Sequence, residues 1–417
     1  MKTTRIISTF FIFQILLSQS CNQNKGNQLI TQTYRMNLID SLLNTAVKEN
    51  EIPGAVVYIN HNGKEVFHKA YGYRNMENKV PMLKDDIFRM ASMTKALTAV
   101  AVLQLYERGL LFLNEKVSKY IPEFKSPQVL INVLPDSGFT SKPASSEITI
   151  RQLLTHTSGI GYGFQDERYN ALVIKNNISE GFEDDDRTSL ENIQRIAKLP
   201  LLFEPGEKYT YGLSYDVLGV VIEIITGMRY DKYINEYILD PLSMNDSYFI
   251  VPEKEQYRLV TPYQPAEKGI GLEPTNYPDT AYPKIRTRQY FSGAADLCST
   301  AGDYGKFIQM VLNKGIYNNI RILGERFIEM MLSKQTALDD GNYEQGFATW
   351  VTNAEGAAEG PMDVLSFGFG GFWDTYGWAD PNGNFVAVLL LQMYPNNQYK
   401  IHDKFQVITY GVINELY

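Results

Sequence analysis

The chain has 417 residues, of which 44% are hydrophobic and 12% aromatic, a composition that excludes disorder and suits one large two-lobed unit or two domains. Acidic residues outnumber basic ones 47 to 39, for a net charge of −8. With no Lys/Arg stripe, the electrostatic footprint of a nucleic-acid binder is missing, and a small-molecule or peptide partner fits better.

Taken in chain order, the first element reads as an export signal, residues 1–20. Lys2 and Arg5 are followed by a mostly apolar run from Ile6 to Leu17, well short of the ~20 residues that span a bilayer, and then by Ser18-Gln19-Ser20-Cys21. The pattern resembles a bacterial lipoprotein signal with Cys21 as the lipidated residue, although Leu17 lies one residue further from the cysteine than usual. An ordinary cleaved secretory signal is the alternative. Either reading puts the protein outside the cytoplasm, in the periplasm or cell envelope, with the lipid as its membrane attachment. Cys298 is the other cysteine, so no internal disulfide is expected once Cys21 is modified or removed.

Residues 21–35 form a polar tether, and the folded domain is expected over 36–417. Met36 to Asn50 has helical spacing, and two apolar runs around Asn62-Gly63 signal a hairpin. From about 91 to 290 the pattern is mainly helical. The run Glu183-Asp184-Asp185-Asp186 within it lacks the spacing of a calcium loop and reads as solvated. Strand character returns at Gly346–Val351 and Phe385–Leu391, the latter buried on both faces, and Lys404–Leu416 reads as a closing helix. The fold class is therefore α/β in the α+β sense. A sheet built from both chain ends (about 36–90 and 291–417) carries a mainly helical lobe (about 91–290) inserted between them. A site would lie in the cleft between the lobes.

Ser92-Met93-Thr94-Lys95 stands at the head of an apolar helical run. A serine three residues before a lysine sets hydroxyl and amine on one helix face, so the amine can take the hydroxyl proton. The surrounding Ala, Leu and Val residues predict burial, which with the helix dipole lowers the lysine pKa. Alone, Ser-x-x-Lys is expected about once by chance in such a chain, and a helix-capping serine beside a snorkelling lysine would look the same. Tyr211, on a turn before the helical run Tyr215–Thr226, could act as a second acid/base or simply be a packed tyrosine. Phe369-Gly370-Gly371-Phe372, followed by Trp373, could let a substrate lie along a strand edge or form a bulged hairpin.

Other chemistries find less support. The four histidines (His61, His68, His156, His402) sit in no His-Glu-x-x-His motif, and no metal-ligand spacing, Gly-x-Ser-x-Gly elbow or phosphate loop is present. His156 reads as a structural hydrogen-bonder. No metal or organic cofactor is expected.

Taken in this order, the Ser92–Lys95, Tyr211 and Gly370-Gly371 segments resemble the serine β-lactamase and penicillin-binding superfamily, most closely its carboxylesterase branch. Supporting stretches are Ile52-Pro53-Gly54, Thr149 to Gly159, Pro241-Leu242-Ser243-Met244 and Ser299 to Tyr304. The resemblance implies the transpeptidase-like fold, with an antiparallel sheet flanked by helices. It implies Ser92 as the acylated nucleophile, Lys95 as its base, Tyr211 as the second acid/base, and an oxyanion hole of the Ser92 and Phe372 N–H groups. The Phe369, Gly370, Gly371 and Trp373 strand would bind substrate.

Two departures bear on substrate. Tyr211-Gly212-Leu213 lacks the amide of the usual Tyr-x-Asn, and Phe369 stands where Lys or His usually helps hold a substrate carboxylate. Losing that contact forfeits roughly 1.5–3 kcal/mol, about one to two decades of recognition. Hydrolysis of small or apolar esters is therefore the leading expectation. D-amino-acid peptidase, amidase or weak β-lactamase activity comes second, and a silent ligand-binding or sensor protein third.

Overall fold

The computed structural model describes residues 36–134, 138–182, 186–267, 271–275, 277, 282–284, 287–337, 341–395 and 400–413. The export signal, the tether, Cys21 and most of the acidic run Glu183–Asp186 lie outside the described residues.

Both chain ends build one sheet. Strands β1 (Gly54–His61), β2 (Lys64–Asn75) and β3 (Val80–Pro81) come from the N-terminal part. The C-terminal part supplies β4 (Thr336–Ala337), β5 (Tyr343–Gln345), β6 (Trp350–Thr352), β7 (Phe367–Gly371), β8 (Thr375–Asp380) and β9 (Phe385–Leu390). The order is β4-β5-β6-β7-β8-β9-β1-β2-β3, antiparallel throughout, and β1 meets β9 with Val56 opposite Leu390. The Asn62-Gly63 hairpin forms as expected, both residues having positive φ, as a tight primed turn requires.

Strand alternation divides the core in two. Ala55, Val57, Ile59, Ala387 and Leu389 face helix α1 (residues 36–48) and the closing helix, Lys400–Ile413. Val56, Tyr58, Val386, Val388 and Leu390 face the other way, into the larger cluster shared with the helix Ala301–Leu312. The β1 and β9 strands are thus buried on both sides, which explains their unbroken apolar runs.

Helix α2 (Thr94–Glu107) crosses this larger core and is buried from Thr94 to Leu105. Each Val or Leu enclosed there is worth roughly 1.5–3 kcal/mol, which offsets the cost of enclosing Lys95 on the same helix. Two details differ from the sequence reading. Gly346 to Thr349 form a turn rather than the start of a strand, closed by Gly346 N–H donating to Thr349 O at 2.8 Å, and Gln345 pairs with Trp350 across it. The segment read as mainly helical also holds strand pairs, Gln128–Val133 with Phe139–Pro143 and Tyr263–Pro265 with Leu272–Pro274. The branched residues of Gln128–Val133 carried that signal.

Candidate active site

Ser92 lies in a single 3-10 turn, Ala91–Met93, that runs directly into α2. The preceding Ala91 has φ +47°, a strained conformation for a residue with a β-carbon, held here by bonds on both sides. Met90 N–H donates to Leu297 O, and the Thr94 hydroxyl donates to Ala91 O at 2.7 Å. One turn later, Lys95 Nζ lies 3.1 Å from Ser92 Oγ. Its other partners are Ala294 O at 3.1 Å and the Tyr162 hydroxyl at 3.3 Å. Burial pushes the Lys95 amine down to about 7, against the opposing pull of Asp216.

Tyr211 arrives from a distant segment of the same lobe, just ahead of helix α3 (Ser214–Thr226), and its hydroxyl donates to Ser92 Oγ at 2.6 Å. Its turn is fixed by neighbours: Thr210 N–H donates to His156 O at 2.7 Å, and Gly212 N–H donates to His156 Nδ1 at 3.4 Å. His156 is buried and packs its ring on Tyr211 at 4.7 Å, and burial holds its pKa well below the usual value. It therefore orients the Tyr211 turn as a neutral hydrogen-bond acceptor. Burial also pushes the Tyr211 phenol up to about 12, so it rests protonated and suits an acid better than a base.

Strand β7 closes the site from the sheet side. A β-carbon on Gly371 would lie 2.3 Å from Met90 O, so glycine alone lets this strand end abut the turn that carries Ser92. That contact sets Phe372, the next residue, beside Ser92 on a shared cavity wall.

Two cavities of about 200 and 250 Å³ meet at Ser92 and Tyr211. The smaller is partly polar, bounded by Gln345, Thr349, His156 and the Gly368–Gly370 backbone. The larger is aromatic, lined by Tyr162, Phe164, Phe182, Tyr277, Phe372 and Tyr394.

The structure redistributes the substrate-strand residues. Gly370 and Phe372 reach the cleft, and Gly371 serves the close approach just described. Phe369 floors the smaller cavity but is only 2% exposed, its ring packed among Tyr304, Phe307 and Phe367. Trp373 is 1% exposed and buried with Ala91, Phe182, Tyr282 and Ala295, and it lines neither cavity. Of the aromatic walls of the larger cavity, Phe372 is the one contributed by the 369–373 stretch.

Sequence reasoning missed Tyr162 and the Ala294 carbonyl, both partners of Lys95. Tyr162 stands between glycines directly after the Thr149–Gly159 stretch, a signal that could have marked it. A backbone carbonyl leaves no such trace.

A family model described as Beta-lactamase matches residues 39–409. Protein Rv1367c of Mycobacterium tuberculosis is 28% identical over 364 residues, covering 83% of this chain and 87% of its own. Esterase EstB of Burkholderia gladioli is 33% identical over 273 residues, covering 64% and 66%. Among solved structures, EstCE1, described as a hydrolase with promiscuous acyltransferase activity, superposes with a TM-score of 0.78 at 23% identity, covering 92% of this chain and all of its own. The chain belongs to the Beta-lactamase family and is a serine hydrolase of that fold.

Proposed function

We propose that this enzyme is a carboxylesterase that works through an acyl-enzyme on Ser92. The observation that carries the proposal is the suspension of Ser92 Oγ between Lys95 Nζ at 3.1 Å and the Tyr211 hydroxyl at 2.6 Å. Neutral Lys95 takes the Ser92 proton as Oγ attacks the ester carbonyl. The backbone N–H groups of Ser92 and Phe372 receive the oxyanion, and the helix N-terminus favours the same charge. Tyr211 gives its proton to the departing alkoxide and regains one from the Lys95 ammonium. Water then attacks the acyl-enzyme with the same groups in reverse.

The ester preference rests on the cleft walls. Among the described residues lining it, Lys95 is the one Lys or Arg, and it is engaged with Ser92. The phenyl ring of Phe369 in the core leaves a substrate carboxylate without a cation at that point. EstB, by its name an esterase, supports the same choice.

The test compares short p-nitrophenyl esters with a chromogenic cephalosporin, using wild type and Ser92→Ala, together with fluorophosphonate labelling. Ester turnover that disappears with Ser92 supports the reading. Preferential cephalosporin turnover transfers it to β-lactam chemistry, and unlabelled, inactive protein overturns both.

Export with lipidation at Cys21 is part of the proposal and rests on the sequence of residues 1–21. Mass spectrometry of the mature N-terminus tests it, and an unmodified residue there would refute it.

A further inference from the structure

The loop Ser292-Gly293-Ala294 runs between α2 and α3 and is clamped by both. From α2, the Thr98 hydroxyl donates to Gly293 O at 2.6 Å, and Lys95 Nζ donates to Ala294 O at 3.1 Å. From α3, Tyr215 O lies so near Gly293 that a β-carbon would meet it at 2.3 Å. The next residue on α3, Asp216, accepts from the Ser292 hydroxyl at 2.5 Å and from the Tyr290 hydroxyl at 3.0 Å, both through Oδ1. Ser292 Oγ in turn accepts from Ala294 N–H at 3.1 Å. Asp216 is 3% exposed, and its Oδ2 has no hydrogen-bond partner among the described residues.

These contacts alone do not call for a carboxylate. An asparagine would accept the same two hydrogen bonds without the cost of enclosing a charge. Among the described residues, the cation that acts on this charge is Lys95, across the loop. The other titratable groups that feel it are Tyr162, Tyr211, Tyr230, Tyr290 and Asp296. The tyrosines are raised by burial, and Asp296 is already paired with the buried Arg288.

We propose that Asp216 is a positioning residue for the lysine base: it ties down the loop whose Ala294 carbonyl orients Nζ, and its charge stabilises the ammonium formed when Ser92 is deprotonated. The proposal rests on the reading of Lys95 as base. Burial moves the Asp216 carboxyl upward and the Lys95 amine downward, so the two titrate as a pair and share the low-pH limb of activity. Removing the negative charge disfavours the ammonium, so that limb must move toward acid.

The experiment follows kcat/KM for a p-nitrophenyl ester from about pH 5 to 9 in wild type, Asp216→Asn and Asp216→Ala, with fluorophosphonate labelling of Ser92 in each. Asp216→Asn is expected to shift the low-pH limb toward acid by about one pH unit while leaving KM close to wild type. Asp216→Ala, which also releases the loop, is expected to lower kcat by about tenfold or more with little change in KM. If Asp216→Asn does not fold, Ser292→Ala is read instead. It removes a bond that favours the ionised carboxylate, so a smaller acid shift is expected. A limb that stays put, or moves toward base, in a folded protein with labelled Ser92 overturns this proposal alone. Unlabelled Ser92, with ester turnover surviving in Ser92→Ala, overturns the parent reading.

Discussion

Gly212 and Ile160 touch backbone to backbone: a β-carbon on Gly212 would lie 2.1 Å from the Ile160 carbonyl oxygen. This contact joins the turn carrying Tyr211 to the segment carrying Tyr162, so the two phenols that surround Lys95 are fixed relative to each other. Gly212→Ala forces the segments apart. It is expected to destabilise the fold by about 1–3 kcal/mol and to lower kcat/KM for esters by about a hundredfold. Thermal unfolding and steady-state kinetics on the same preparation check both figures. Wild-type turnover would show that the two turns need not meet.

Tyr211→Phe keeps the ring on His156 and removes the hydroxyl 2.6 Å from Ser92. The expected loss in kcat is about 10²–10⁴-fold, with KM nearly constant, because the proton is needed at the leaving group rather than for binding. Esters with more acidic alcohols need that proton less. A series of leaving groups should therefore show a smaller defect as the alcohol pKa falls, and a uniform defect would count against the acid role.

Lys95 has a stability signature as well. In the folded state its pKa falls to about 7, against 10.5 for the ordinary side chain, so between those values the unfolded chain holds a proton that the native state has lost. Stability must therefore rise with pH through that window, by at most about 1.4 kcal/mol per unit. Lys95→Met is expected to abolish turnover while removing this penalty. The variant is expected to unfold at higher denaturant than wild type at pH 7, and the gap should close toward pH 10. Denaturant titrations at several pH values decide it, and a gap that widens with pH would reverse the assignment.

Restoring the family's usual cation is not expected to restore β-lactam chemistry. In Phe369→Lys the new ammonium enters the packing among Tyr304, Phe307 and Phe367. A loss of at least about 3 kcal/mol is expected, with no gain in cephalosporin turnover. Differential scanning fluorimetry and a cephalosporin assay test the two halves separately.

What the sequence revealed follows from how local each signal is. The Ser92–Lys95 pair was legible because one helical turn sets both groups, and the Asn62-Gly63 hairpin because two residues determine it. The buried run Phe385–Leu391 announced a strand enclosed on both faces. Tyr211 could be chosen from 28 tyrosines only through its neighbours, since its contact with Ser92 joins positions 119 residues apart. The Phe369 and Trp373 rings illustrate the limit. Aromatic identity is visible in the chain, but whether a ring faces solvent or core depends on Tyr304, Phe307, Tyr282 and Ala295, which arrive from elsewhere. The Ala294 carbonyl was beyond reach because every residue carries one.

The pairing of β1 with β9 has a consequence for the order of synthesis. Val56 cannot find its partner until Leu390 has been made. The sheet beneath the Ser92 turn is therefore incomplete on any polypeptide that stops before β9, although Ser92, Lys95 and Tyr211 all emerge ahead of it. Chains cut short before β9 carry Ser92, Lys95 and Tyr211 on a sheet split into two unjoined halves, so hydrolytic activity is expected only once synthesis has passed β9.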